Sequence, residues 1–382
     1  MSMNKMFKKV LAVVAAGAMT MGMAMPTFAA DGGKTTEAWI TKTYYTEVGK
    51  AEKFSFTAEQ VKTGTGIITT DAAVTMPEIS FTDTETGTIS KRSQITFPTY
   101  PEAGKYEYTV TETQTADPIV ANSEHEKMIM SQAEYTMDVY VTDGATGTEI
   151  SNIVVNKVKD DAGQTDTGKV DIGNTDTNKF NFTNTYVQEA GTGTKPTDPD
   201  PTYNENGSLK VSKAVVNANG TTTTPDAEFE FTATFAFPTG TNASTLGGIK
   251  AANGDTVTSV EGGTYTFKLK ANENMKFTGV PVGTTITVKE SAAKNYKGSA
   301  EITINGTKLT PVAATSYNTE LTAVNNNEKL GQKQNTVAVT NTYNDVPVTG
   351  IIMNTLPYVL MIALCGVALI AFVGFKRRRL QK

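Results

Sequence analysis

Two stretches of this chain close on the same four residues. They are Phe182-Thr-Asn184-Thr-Tyr186 and Val339-Thr-Asn341-Thr-Tyr343. Each is the end of a longer ordered series. Near the start of each half an alternating run carries a lysine, Trp39-Ile-Thr-Lys42 and Leu209-Lys-Val211-Ser-Lys213. A second run follows, Phe54-Ser-Phe56-Thr57 and Phe229-Glu-Phe231-Thr232. Mid-way comes a run with a glutamate, Tyr108-Thr-Val110-Thr-Glu112-Thr113 and Ile286-Thr-Val288-Lys-Glu290-Ser291. An internal repeat of this kind confines the chain to two diverged copies of one structural unit. Lys42 precedes Asn184 by 142 residues and Lys213 precedes Asn341 by 128, so each pair joins the first strand of its unit to the last.

The fold class follows from the period. Met137-Asp-Val139-Tyr-Val141, Ile302-Thr-Ile304 and Val337-Ala-Val339 also alternate, and Gly, Asn and Asp clusters separate the runs. Period-two alternation with regular turn signals predicts an all-β chain of sandwich domains. Between the copies lies Ala190-Gly-Thr-Gly-Thr-Lys-Pro-Thr-Asp-Pro-Asp-Pro201. Pro and Gly at that density block a continuous strand and predict an extended spacer. The predicted order is a first sandwich over 31–188, a linker over 189–205, a second sandwich over 206–345 and a C-terminal segment over 346–382.

Both ends carry export signals. Lys5, Lys8 and Lys9 precede an apolar stretch from Val10 to Ala24, and Thr27-Phe28-Ala29-Ala30 offers small residues for cleavage. Residues 1–30 therefore read as a secretory signal peptide. Leu356–Phe375 is 20 residues without a charge, long enough to span a bilayer as a helix. The basic cluster Lys376-Arg377-Arg378-Arg379 behind it belongs in the cytoplasm. Of 34 Lys/Arg, eight lie at these two ends; the 26 that remain face all 39 Asp/Glu, a formal charge of −13. That surface excludes nucleic acid as a partner.

The exported part holds no cysteine, since the one present, Cys365, lies in the apolar segment. Disulfide staples, common in secreted β proteins, are therefore ruled out and any cross-link needs other chemistry. The single histidine, His125, sits in Ser123-Glu-His-Glu-Lys127 and reads as a solvated loop residue. Asn174-Thr-Asp176-Thr-Asn178 begins like a calcium loop but lacks its Gly and terminal Glu. With no nucleophile, metal or cofactor motif, multiple-turnover catalysis is not expected.

A Lys, a Glu and an Asn in a sandwich core can react with one another. Burial lowers the pKa of Lys and raises that of Glu. A neutral amine is a nucleophile, and a protonated Glu can polarise the Asn amide and move protons. Attack of the amine on the amide carbon expels ammonia and leaves an isopeptide bond. The fold supplies the effective molarity, and each domain reacts once, on itself.

These residues resemble the two-domain backbone pilins of Gram-positive bacteria, built from immunoglobulin-like domains of the streptococcal pilin-isopeptide and collagen-adhesin B types. In the first half the resemblance rests on Ile95-Thr-Phe97-Pro98, Ala103-Gly104-Lys-Tyr106, the Glu112 strand and the Asn184 strand. In the second it rests on Tyr265-Thr-Phe267-Lys-Leu269, Gly279-Val-Pro281-Val282-Gly283-Thr284-Thr285 and Val288-Lys-Glu290. The resemblance implies bonded pairs Lys42–Asn184 and Lys213–Asn341, with Glu112 and Glu290 as assisting acids. It also reads Val346-Pro347-Val348-Thr349-Gly350 as a sorting signal of the L-P-x-T-G type, with Val for Leu. A pilus-type (class C) sortase would cut between Thr349 and Gly350 and pass Thr349 to a lysine of an identical subunit. A housekeeping sortase would link the finished polymer, with its minor pilins, to peptidoglycan. The subunit would be secreted, held briefly in the membrane, then fixed to the wall. The resemblance places the acceptor lysine shortly before the last strand of the first domain, making Lys179 the first choice, with Lys169 and Lys157 as alternatives. A monomeric wall-anchored adhesin built of the same parts is the alternative reading.

Overall fold

The structure, a computed structural model, describes residues 35–344 and, beyond them, only Met361 and Cys365. The predicted signal peptide, the sorting signal and, but for those two residues, the apolar span lie outside the described residues. Among the described residues no helix is long and apolar enough to cross a membrane.

The first half contains β1 (Trp39–Thr46), β2 (Glu52–Phe54), β3 (Phe56–Gln60), β4 (Ile79–Phe81), β5 (Gly87–Gln94), β6 (Gly104–Glu112), β7 (Glu126–Ile129), β8 (Glu134–Gly144), β9 (Gly147–Lys159), β10 (Thr165–Val170) and β11 (Asn181–Gln188). A short helix α1 (Pro201–Asn206) precedes the second half. There follow β12 (Leu209–Val216), β13 (Phe229–Ala236), β14 (Ile249–Asn253), β15 (Thr256–Val260), β16 (Thr264–Leu269), β17 (Asn274–Thr278), β18 (Thr285–Glu290), β19 (Tyr296–Ile304), β20 (Thr307–Lys308), β21 (Val312–Ala313), β22 (Leu321–Lys329) and β23 (Thr336–Tyr343). The chain is all-β, as the alternation predicts.

Each half is two facing sheets. In the first they run β5-β1-β11-β7 and β10-β9-β8-β6-β3, with β2-β4 as a separate ribbon. In the second they run β15-β14-β17-β12-β23-β19-β20 and β16-β13-β18-β22. Most pairings are antiparallel, but in both halves the first strand lies parallel to the last, β1 on β11 and β12 on β23. These strands are therefore joined through the whole domain rather than by a turn.

The reactive residues continue apolar rows. On β6, Tyr106, Tyr108 and Val110 are buried and Glu112 is the next inward position. On β18 the inward row is Ile286, Val288, Glu290. On β12 it is Leu209, Val211, Lys213, Val215, and on β23 it is Val337, Val339, Asn341. Alternation thus carries each polar group into the core with its apolar neighbours. Aromatic side chains fill the space around them; Tyr44, Phe54 and Phe81 pack mutually with centroids 5.1–5.9 Å apart.

The linker is not an extended spacer. Glu189, Ala190 and Thr192 are buried, and α1 folds within it. Its backbone is hydrogen-bonded to the second half: Ala190 N to Val280 O at 2.9 Å, Gly191 N to Gly331 O at 3.0 Å, Gly193 N to Gln332 O at 2.8 Å. Gly191 has φ of +82°, and a Cβ there would stand 2.4 Å from Gly207 O. The glycines thus allow close backbone approach rather than flexibility. The Glu189 carboxylate organises the joint. It accepts from Tyr203 Oη (2.7 Å), Ser208 Oγ (2.6 Å) and the Gly279 backbone N–H, and pairs with His125 Nδ1 (2.7 Å). His125 is therefore an interdomain contact, not a solvated loop residue. Nothing near it in sequence signals this, because its partner is 64 residues away.

Candidate functional site: two buried Lys–Glu–Asn clusters

In the first domain Lys42, Glu112 and Asn184 meet in the core. Lys42 and Asn184 are fully buried and Glu112 is nearly so. Lys42 Nζ lies 2.6 Å from Glu112 Oε1, and Asn184 Nδ2 donates to the same oxygen at 3.1 Å. Lys42 and Asn184 come from the adjacent parallel strands and Glu112 from the facing sheet. The Lys42 ammonium also lies 4.5 Å from the Phe54 ring centroid.

The second domain repeats the arrangement. Lys213 Nζ donates to Glu290 Oε1 at 2.6 Å, and Asn341 Nδ2 donates to that oxygen at 2.8 Å. Lys213 lies 4.2 Å from the Phe229 ring centroid. In both domains one carboxylate oxygen bridges the amine and the amide nitrogen.

Burial sets the electrostatics. Desolvation pushes Lys42 and Lys213 down to about 8, against the opposing pull of Glu112 and Glu290. Burial likewise raises Glu112 and Glu290, outweighing the nearby ammonium and the amide hydrogen bond. Both shifts favour the neutral pair, in which the amine has a free electron pair and the acid a proton. Such a group can transfer protons between the amine and the amide without leaving the core.

Three further residues shape these sites, and the repeat pattern does not mark them. The backbone N–H of Ser131 donates to Asn184 Oδ1 at 2.7 Å. Asp161 holds Ser131, accepting from its hydroxyl at 2.5 Å and from Thr183 N at 2.8 Å. In the second domain Gly298 stands in register with Asn341. A Cβ on Gly298 would lie 3.0 Å from Glu290 Oε2 and 3.1 Å from Asn341 Oδ1. A glycine between a core Glu and a core Asn is a signal that the sequence does carry, once the register is known.

The candidate acceptor lysines lie elsewhere, in the first domain. Lys157 on β9 pairs with Asp166 at 3.0 Å, and Lys169 is exposed on β10 opposite Asn156. Lys179 is exposed just before β11. Its neighbour Asn178 donates to Trp39 O at 2.8 Å, which places it where β1 begins. The described chain runs out at the other end, where Asn344 N donates to Asn295 O at 2.8 Å beyond β23. Among the described residues no group of three or more His, Cys, Asp or Glu could hold a metal ion.

Residues 38–187 match the family of the Spy0128-like isopeptide containing domain. For the first half, that match bears out the isopeptide-domain part of the resemblance drawn from the sequence. Residues 207–343 match a family described as a domain of unknown function (DUF7601). No curated protein matches the chain. Among solved structures, a major pilin protein (T3.2) from Streptococcus pyogenes is 22% identical, over 81% of this chain and 99% of that one, with a TM-score of 0.32. Another major pilin of Streptococcus pyogenes is 19% identical over the same shares, with a TM-score of 0.34. At these scores the whole-length superposition is loose, and the likeness rests on the family match to the first domain.

Proposed function

We propose that this chain, whose first domain matches the Spy0128-like isopeptide containing domain, is a structural subunit of a covalently polymerised cell-surface pilus. The observation that supports it best is the twofold occurrence of one buried cluster, with Lys on the first strand and Asn on the last.

The chemistry is a single turnover per domain. The neutral lysine Nζ attacks the Asn side-chain carbon, and the carbonyl electron pair moves to Oδ1. The protonated Glu gives its proton to Nδ2 and takes one from Nζ. The C–N bond to Nδ2 breaks, ammonia leaves and the carbonyl re-forms, with Glu as it began. One amide replaces another, so no oxidant, metal or cofactor enters.

The strand directions suit head-to-tail polymerisation. In each domain the first and last strands run parallel, and the linker passes from the end of β11 to the start of β12. Lys179 therefore lies at one pole, and the chain leaves for Val346-Pro-Val-Thr349-Gly350 at the other. Transfer of Thr349 to the Lys179 amine of the next subunit would extend a rod. Tension would then run from Lys179 along β11 and the linker to Lys213, cross the second isopeptide bond to Asn341 and leave through Thr349.

Immunoblotting of wall extracts tests the polymer. A high-mass ladder is expected, lost in Thr349→Ala and in Lys179→Arg. One band in the native strain would overturn the backbone reading in favour of a monomeric adhesin. Intact mass of the exported chain tests the internal bonds, with a deficit of two ammonia molecules expected.

A further inference from the structure

The two clusters share three residues but differ at the carbonyl. In the second domain Asn341 Oδ1 is buried and has no hydrogen-bond partner. In the first, Asn184 Oδ1 accepts the Ser131 backbone N–H at 2.7 Å, and Asn184 Nδ2 faces Glu112 Oε1 at 3.1 Å and Met130 Sδ at 3.4 Å. A flipped Asn184 amide would set its NH₂ against the Ser131 N–H, donor against donor. The side chain is therefore held with oxygen towards Ser131 and nitrogen towards Glu112.

We propose that the Ser131 backbone N–H is the oxyanion donor for isopeptide formation in the first domain, and that Asp161 is the residue that positions it. This rests on the isopeptide reading above. The roles divide by atom. As Lys42 Nζ bonds to the amide carbon, negative charge gathers on Oδ1, where the N–H already points. Glu112 then serves the nitrogens alone, protonating Nδ2 as it leaves and taking the proton from Nζ. A donor aimed in advance at a developing oxyanion in a dry site is among the larger contributions a protein can make to such a step.

Ser131 is built for this task rather than placed by chance. It is 1% exposed, between β7 and β8. Its hydroxyl donates to Asp161 Oδ1 and accepts from Ala133 N at 3.1 Å. Its carbonyl accepts from Gln114 Nε2 at 2.9 Å. Asp161 Oδ1 also accepts from Thr183 N, the residue before Asn184, and Asp161 O accepts from Gln132 N at 3.0 Å. One aspartate thus clamps the donor's loop to the strand that carries the reacting amide. The second domain offers Asn341 no such donor among the described residues, so Glu290 must serve both edges of that amide.

The test is a time course on the full exported chain, made in a short burst of cell-free synthesis, quenched in acid and digested. Mass spectrometry then counts the Lys42–Asn184 and Lys213–Asn341 cross-linked peptides separately, the second serving as internal control. Ser131→Pro, which deletes the N–H, should slow the first bond about a hundredfold and leave the second unchanged. Asp161→Ala should slow the first bond about tenfold, and Asp161→Asn, which still accepts from Ser131 and Thr183, should restore it. The rescue separates positioning from bulk. Circular dichroism reports whether each variant folds; if Ser131→Pro does not, the Asp161 pair decides. A first-domain bond that forms at the native rate in folded Ser131→Pro, or in Asp161→Ala, would overturn the proposal. Absence of either cross-link in the native chain would instead sink the isopeptide reading itself.

Discussion

Asn184 stands in register with Tyr44, two residues beyond Lys42 on the neighbouring parallel strand, so that lysine and asparagine share one face on a diagonal. The same step separates Lys213 from the register partner of Asn341, which is Val215. This offset leaves room between the two side chains for a carboxylate from the facing sheet. It explains why one oxygen, Oε1 of Glu112 or of Glu290, reaches both nitrogens.

Removal of the assisting acid should act on one domain only. In Glu112→Ala the first bond should fail to form while the second forms normally, as read by digestion and mass spectrometry. The cross-link closes a loop of 142 residues. By the chain-entropy treatment of cross-links, its loss should lower first-domain stability by about 5 kcal/mol. The Lys42 amine and the Asn184 amide, left buried without the carboxyl that both face, add to that loss. Calorimetry should show one transition falling well below its native position.

At Gly298 even a methyl should be felt by the second cluster. Its methyl in Gly298→Ala would press on Glu290 Oε2 and Asn341 Oδ1 at 3.0 and 3.1 Å, and on Leu321 Cδ2 at 3.1 Å. The predicted result is a second-domain bond formed slowly or in part, with a loss of about 1–3 kcal/mol from overpacking. The first-domain cross-link should be unaffected in the same digest.

Pulling should separate the two bonds. A chain held at Lys179 and Thr349 carries tension through Lys213 and Asn341 but enters the first domain only five residues before Asn184. Asn341→Ala should therefore release the 128 residues between Lys213 and Asn341, an extension of roughly 430 Å at 3.3–3.6 Å per residue. Asn184→Ala should release nothing along that path. Equal extension from both variants in single-molecule force spectroscopy would show that tension enters through β1 instead.

Glu52 should make the first domain sensitive to pH. It is 2% exposed, and neither carboxylate oxygen has a hydrogen-bond partner. Burial raises it to about 7, with Lys50 opposing and Glu126 and Asp117 adding to the rise. A raised acid holds its proton in the fold after the unfolded chain has lost it. Its contribution is thus present below about 4.5, is lost as pH climbs to about 7, and remains lost above. Glu52→Gln should match the native protein near pH 4.5 and exceed it by about 3 kcal/mol at pH 8. Thermal unfolding at the two pH values checks this; an equal gain at both would refute the titration account.

Much of this architecture could be read from the residues. Period-two runs mark the strands because pleating sends alternate side chains to opposite faces. Lys42, Glu112 and Asn184 could be picked out because the second copy repeats them as Lys213, Glu290 and Asn341, in order and in strand context. A charged residue at an inward position of an apolar row is a local anomaly, and two copies of it make a pattern.

The remainder depends on contacts that no local pattern encodes. Ser131 acts through a backbone N–H, which every residue but proline possesses, so its letter says nothing of its part. Asp161 looks like a turn residue until Thr183 and Ser131 close on it. His125 and Glu189 are both ordinary surface types; here Glu189 is buried and His125 half-buried against it, because Tyr203, Ser208 and Gly279 converge on the carboxylate from separate segments. Composition makes the Pro/Gly stretch between domains a spacer, yet its Gly191 serves close packing against Gly207 and Gly331. Alternation and repetition are properties of the chain and determined the strands and the reacting triples. Register, the satisfaction of buried polar groups and the fit of the domain joint are properties of pairs distant in sequence, and only folding brings those pairs within bonding distance.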